Sequence, residues 1–297
     1  MNASIIGVPM DLGANRRGVD MGPSAIRYAN LSKRLNEIGV TTNDKGNISV
    51  PIPEKGNGWD DRERYTKKIN RVCTSLARQV SEEASQGKIP IILGGDHSIA
   101  IGSIAGIKQA VGELGVIWFD AHGDLNTFDT SPSGNIHGMP LSFSLGYGDS
   151  ELTDCLERGT KIKPENTVLI GIRSLDPGEK KLIEEMGITV FTMYDLDKLG
   201  MNRVMEKALS IVNSGTDGVH ISLDMDVLDP MEAPGVGTPE RGGINYREVH
   251  LALELLAEKD CIRSMEVVEV NPILDERNRT ADLAVELIAS ALGKRVL

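Results

Sequence analysis

Cysteine is scarce in this sequence: Cys73, Cys155 and Cys261 form an odd, widely spaced trio with no C-x-x-C pair. Neither a disulfide framework nor a thiolate zinc site is encoded, and a reducing cytoplasm suits such a chain. Aromatic residues make up only 4%, too few to build stacking platforms for single-stranded nucleic acid. Positive charge is in deficit, with 32 Lys and Arg against 43 Asp and Glu and a formal net charge of −11. That balance repels nucleic acid and anionic membrane surfaces, so neither is expected as a partner. No apolar run approaches the ~18 residues that a bilayer core requires. The opening MNASIIGVPMDLG lacks a basic stretch ahead of its short apolar run, so no secretory signal is expected. Phosphate-loop, dinucleotide and nucleophile-elbow motifs are also missing.

What remains is an ordinary globular composition, 40% hydrophobic and 25% charged over 297 residues. Short β-rich runs recur as ASIIGV from Ala3, IPIIL from Ile89, GVIWF from Gly115, TVLIGI from Thr167, ITVF from Ile188, GVHISL from Gly218 and SMEVVEV from Ser264. Helix-compatible stretches alternate with them, at Pro23 to Glu37, Asp60 to Gln86, Ser98 to Val111, Asn202 to Asn213, Tyr246 to Glu258 and Thr280 to Leu292. Parallel strands need crossover connections, and the crossing helices cover the faces. The alternation therefore predicts an α/β fold with a mainly parallel sheet between helical layers. No linker or charge run divides the chain, which predicts one domain over residues 1–297.

In such sheets ligands bind beyond the carboxyl ends of the strands. Three of those ends are acidic or carry histidine: IIL runs into GGDHS, VIWF into DAHGD, and HISL into DMDVLDP. A fourth, SMEVVEV, carries Glu269 near its end. Asp120, His122 and Asp124 follow one another at two-residue spacing, as do Asp224 and Asp226, so each segment can aim alternate side chains at one point. With His97 the set holds four carboxylates and two imidazoles. Burying four unpaired carboxylates is costly, and two divalent cations are the natural counter-charge. Oxygen-rich ligation with imidazole and no thiolate suits manganese, with cobalt, iron and zinc as competitors.

Taken singly, each of these residues reads as a solvated loop or a cap; their joint placement at three strand ends carries the metal reading. Asp96 reads as a helix N-cap and Asp229 as the start of a turn. His220 in a strand and His250 in a helix read as packing residues. The stretch from Asn126 to Pro140 is either an ordinary loop or a ligand-binding one. Ser131, Ser133 and Asn135 offer groups suited to a carboxylate, and His137 titrates near neutrality.

GGDHS, FDAHGDLN, SGNIHG, SLDMDVLDP, APGVGTPERGG and EVVEVNP, in that order and after GVPMDLGANRRGVDMGPSAIR, resemble the signatures of the ureohydrolase family, most closely its bacterial-type arginase branch. The similarity runs from Ile5 to Leu292. It implies a three-layer α/β/α arginase-like fold and two Mn(II) ions held by His97, Asp120, His122, Asp124, Asp224 and Asp226, with Asp120 and Asp224 bridging. It also implies that a metal-bridging hydroxide attacks the guanidinium carbon of L-arginine to give L-ornithine and urea. His137 would shuttle protons, Glu269 would anchor the guanidinium, and Asp124 would serve catalysis as well as the metals. Asn126, Ser131, Ser133, Asn135 and Thr238 would bind substrate, with Asp176 and Glu179 toward the α-amine. Phe128 and Ser174 depart from the family pattern, where proline and aspartate are usual. Alternatives on the same scaffold are an agmatinase or another guanidino-acid hydrolase, or a catalytically inactive metal-binding regulatory homologue. By resemblance the expected assembly is a homohexamer or trimer.

Overall fold

The computed structural model describes residues 1–52 and 62–295. Eight strands form one sheet: β1 (Asn2–Gly7), β2 (Thr41–Asn47), β3 (Ile89–Leu93), β4 (Leu114–Phe119), β5 (Thr167–Ile172), β6 (Thr189–Thr192), β7 (Gly218–Asp224) and β8 (Ile262–Val268). Their order is β2-β1-β3-β8-β7-β4-β5-β6, and every pairing is parallel. All seven expected strands are present. The eighth, β2, reads TTNDKGN and has no apolar face, because it lies at the sheet edge with most of its residues exposed. An edge strand needs only one neighbour and little burial, so hydrophobic patterning does not reveal it.

Adjacent residues on the inner strands point to opposite faces, as a two-residue period requires. Ile5, Ile91, Ile117 and Ile170 join a core with α1 (Gly22–Tyr28), α2 (Leu31–Glu37), α8 (Met193–Leu199), α9 (Met201–Val212), α10 (Tyr246–Ala257) and α11 (Arg279–Ala291). Ile6, Ile92, Trp118 and Leu169 pack on the other side against α3 (Arg62–Ser85), α4 (Ala100–Val111), α5 (Pro140–Ser144), α6 (Ser150–Thr153) and α7 (Pro177–Met186). Full burial of one such side chain contributes roughly 1.5–3 kcal/mol. The single helix expected from Pro23 to Glu37 is broken in two because Asn30 adopts φ 64, a left-handed conformation that ends α1 and opens α2. Residues 60 and 61, at the start of the expected Asp60 helix, lie outside the described residues.

Local chemistry fixes the helix that borders the site. Asp176 and Glu179 form a reciprocal capping box at the start of α7, Pro177 opens its first turn, and Gly187 at φ 68 closes it. The strands whose ends carry the acidic motifs, β3, β8, β7 and β4, are four consecutive neighbours in the middle of the sheet. Among the described residues no helix is long and apolar enough to cross a membrane.

Candidate metal centre

Asp120 is the first residue past β4, and both of its oxygens are occupied. Oδ2 accepts from Trp118 Nε1 at 3.0 Å and Oδ1 from the His122 amide at 2.7 Å. Asp224 ends β7 and accepts from the Asp226 amide at 2.8 Å. Asp226 accepts from the Ala121 amide at 3.2 Å and from Thr238 Oγ1 at 2.9 Å. Asp124 takes φ 51, a strained setting for a residue with a Cβ, and its carbonyl receives the Leu141 amide at the start of α5.

These carboxylates surround two imidazoles. His97 Nδ1 lies 3.2 Å from Asp120, 3.0 Å from Asp124 and 3.1 Å from Asp224. His122 Nδ1 lies 3.3 Å from Asp120 and 3.1 Å from Asp226. Asp120 is shared, so the ligand atoms form two adjoining groups, His97–Asp120–Asp224 and Asp120–His122–Asp226. The same side of His97 that meets three carboxylates makes no hydrogen bond: its buried Nδ1 is unpaired. On the far side Nε2 is 2.7 Å from Ser222 Oγ, and the ring stacks on Trp118 with centroids 4.2 Å apart. An imidazole nitrogen facing three carboxylate oxygens without a hydrogen bond is the arrangement a divalent cation between them satisfies. The residues present fit the metals expected from the sequence.

The electrostatics agree. Burial and the neighbouring Asp120 push Asp124 up to about 6, and burial with the charges of Asp226 and Asp120 pushes Asp224 well above the carboxylate range. Asp226 rises for the same reasons, burial first and then Asp120. Burial opposes protonation of His97, but Asp120, Asp124 and Asp224 overcome it and raise it far above the usual imidazole value. Asp120 goes the other way: burial opposes its charge, but His122 and His97 hold it below the carboxylate range. The remaining three carboxylates, pushed toward retaining protons, are short of positive charge.

Glu269 follows β8 in a left-handed conformation, φ 63, which turns its carboxylate back toward the centre. Oε1 accepts from the His97 amide at 2.9 Å and lies 3.0 Å from His137 Nδ1. Burial alone lowers His137, yet the bond to Glu269 lifts it to about 9.

A cavity of about 150 Å³ opens beside the acidic cluster, and Asn126, Ser131, Ser133, Asn135, Asp176, Glu179 and Thr238 all line it together with His122, Asp124, His137 and Asp224. Asn126 Nδ2 donates to Asp176 at 2.9 Å, and Ser133 Oγ accepts from the Asn135 amide at 3.2 Å. Glu179 accepts from the Leu125 and Asp176 amides, and burial raises it to about 7. Glu269 faces an adjoining cavity of about 490 Å³ that shares His122, Asn135, His137 and Thr238.

Asp96 caps the turn beginning at His97, as expected, and also accepts from the Gly13 amide at 2.8 Å. Asp229 accepts from the amides of Met231, Gly242 and Gly243, a turn as expected. His220 and His250 are buried against Ser264 and Ser290. Sequence reasoning missed Arg173, whose guanidinium donates to five main-chain carbonyls, those of Gly171, Asp226, Val227, Leu228 and Glu240, and so ties the Asp226 turn to the loop after Thr238. No motif marks it, since every one of its partners is backbone.

Comparison with known proteins identifies the family. The pattern described as "Arginase family" covers residues 1–293. An arginase of Bacillus caldovelox is 55% identical over 295 residues, 99% of both chains. The crystal structure of an arginase from Bacillus cereus superposes with TM-score 0.95 at 54% identity, covering 100% of both chains. That of an Entamoeba histolytica arginase in complex with L-ornithine gives 0.89 at 32% identity, covering 99% of both. With the family pattern spanning nearly the whole chain and the same fold in its relatives, the chain belongs to the arginase family of hydrolases.

Proposed function

We propose that the chain hydrolyses the guanidinium group of L-arginine to L-ornithine and urea, acting as a single catalytic unit over residues 1–297. The observation that carries this reading is the meeting of six ligand-type side chains at neighbouring strand ends beside a cavity lined by hydroxyls, amides and, besides the cluster's own aspartates, the carboxylates of Asp176 and Glu179. Two Mn(II) ions suit the oxygen-rich donors His97, Asp120, His122, Asp124, Asp224 and Asp226. When bound, such a pair polarises water and supplies hydroxide near neutral pH. Glu269 holds the planar cation through the oxygen that His97 and His137 leave free. His137, kept protonated by Glu269, gives its proton to the departing amine, which leaves poorly as an anion. Asn126, Ser131, Ser133 and Asn135 take the α-carboxylate end, and Asp176 with Glu179 the α-amine.

Agmatine, which has no carboxylate, leaves that polar wall unpaired, and the wall is what favours arginine over agmatine or another guanidino substrate. The intact His137–Glu269 pair favours turnover over a purely regulatory role. Exposed Met231, Ile273 and Leu274 offer apolar surface for assembly into a trimer or homohexamer. The three free, buried cysteines support a cytoplasmic location. The test is urea release from arginine, agmatine and guanidinobutyrate, with manganese content measured on the same sample. Preferred arginine turnover with metal approaching two ions per chain supports the reading. Full activity with a single ion, or preference for agmatine, overturns it.

A further inference from the structure

Beneath the metal centre runs a second line of polar side chains. His220, Ser222 and Asp224 alternate along β7 and so share one face of the sheet. In the neighbouring strand Ser264 pairs with His220 and Glu266 with Ser222. Glu266 is fully buried. Its Oε1 accepts from Ser222 Oγ at 2.7 Å and lies 3.4 Å from His220 Nε2, and its Oε2 accepts from Ser103 Oγ on α4. Burial works against its charge, but His220 and Ser103 hold Glu266 below the ordinary carboxylate range.

A carboxylate only accepts, and a serine hydroxyl has one hydrogen to give. Ser222 spends that hydrogen on Glu266. Toward His97 it therefore offers a lone pair, and at 2.7 Å that lone pair receives a hydrogen from Nε2. With Nε2 carrying hydrogen, Nδ1 is the nitrogen left to ligate a cation seated between Asp120, Asp124 and Asp224. Reversing the hydroxyl would place the hydrogen on the wrong nitrogen for a ligand.

We propose that Glu266 is a positioning residue: by fixing the direction of the Ser222 hydroxyl it sets the tautomer of His97 and so tunes how tightly the centre holds a divalent cation. The inference rests on the metal reading but not on the substrate. An acceptor on the Ser222 side is what matters, and the net charge of Glu266 is secondary.

The test is a manganese titration of the metal-free protein, by calorimetry or by the paramagnetic signal of the free ion. Glu266→Met keeps the length and removes the acceptor. Glu266→Gln keeps a carbonyl for Ser222 and turns its amide toward Ser103, whose hydroxyl can accept it. Partners of metal-ligating histidines typically contribute ~10- to 100-fold in affinity, so Glu266→Met should weaken manganese binding by about that factor while Glu266→Gln stays close to the original protein. Ser222→Ala, which breaks the same relay at its middle, should reproduce the loss and keeps the test decisive if Glu266→Met fails to fold. In the cadmium-loaded protein, nitrogen NMR should show His97 carrying hydrogen on Nε2, with that hydrogen exchanging faster in Glu266→Met. Equal loss in the Met and Gln variants would mean that charge, not hydroxyl direction, is what counts, and would overturn the inference. Unchanged binding in Glu266→Met and Ser222→Ala overturns it as well. An unaltered protein that takes up no manganese removes the metal reading and this inference together.

Discussion

His137 Nδ1 lies 3.0 Å from Glu269 Oε1, the same oxygen that accepts the His97 amide at 2.9 Å. One oxygen of the carboxylate is thus committed to the protein, which leaves Oε2 for the substrate cation of the proposed reaction. The contact also joins the backbone of His97, at the base of the cluster, to the imidazole proposed to move protons.

His137→Asn should retain both metals and most of the affinity for arginine, because neither depends on the imidazole. General acid–base groups typically contribute ~100- to 10,000-fold, so kcat should drop by about that range with little change in KM. Added imidazole should restore part of the rate. Since Glu269 keeps His137 protonated up to about 9, kcat of the unaltered enzyme should fall as pH rises through that value, and the fall should disappear in the variant. Loss of metal from His137→Asn would contradict the assignment.

Ser133 and Asn135 face the small cavity from the loop after Asn126. Arginine should be preferred over agmatine by at least ~100-fold in kcat/KM, because polar groups that a bound substrate covers and leaves unpaired cost a few kcal/mol. Replacing both with Ala should narrow the gap chiefly by weakening arginine. Equal handling of the two substrates by the unaltered enzyme would remove the loop from substrate selection.

Gly237 is close to the free oxygen of Glu269: a Cβ there would lie 3.1 Å from Oε2. Glu269 cannot easily give way, since Oε1 is held by two partners. Gly237→Ala should raise KM for arginine several-fold while manganese affinity stays unchanged. An unchanged KM would show that the guanidinium does not use Oε2.

Far from the centre, Glu83 is held by Lys88 at 2.8 Å, Lys45 at 2.9 Å and the Ser4 hydroxyl. Burial alone would raise its pKa, yet these partners bring it from 4.5 to about 2. A depressed carboxylate stabilises the fold above its unfolded value and loses that contribution as pH falls toward the folded one. The Tm advantage of the original protein over Glu83→Gln should therefore be full at neutral pH, shrink below about 4.5 and vanish near 2. A difference independent of pH would show that Glu83 contributes by packing alone.

The clustering of these side chains was legible because chemistry sits directly after apolar runs: DAHGD follows VIWF and DMD follows HISL, and strand polarity then places both at one edge. β2 was not legible, since an exposed edge strand such as TTNDKGN lacks apolar alternation. The left-handed turns at Asp124 and Glu269 were equally hidden, because they are imposed by surrounding contacts on residues that do not favour them. Arg173 and Glu266 act through backbone carbonyls and a serine hydroxyl, partners that spacing along the chain does not disclose.

The position of β8 bears on how the chain matures. It lies between β3 and β7, pairing Ile91 with Met265 on one side and Ile221 with Met265 on the other. Until this late-synthesised strand inserts, β2-β1-β3 and β7-β4-β5-β6 are two unjoined half-sheets, with His97 on one and the four aspartates on the other. The His97–Asp120–Asp224 group spans the gap that β8 fills, whereas Asp120–His122–Asp226 lies on one half, so in a nascent chain the first group should close only after β8 is made, and a chain cut before Ile262 should expose the apolar inner edges of both halves to chaperones and proteases.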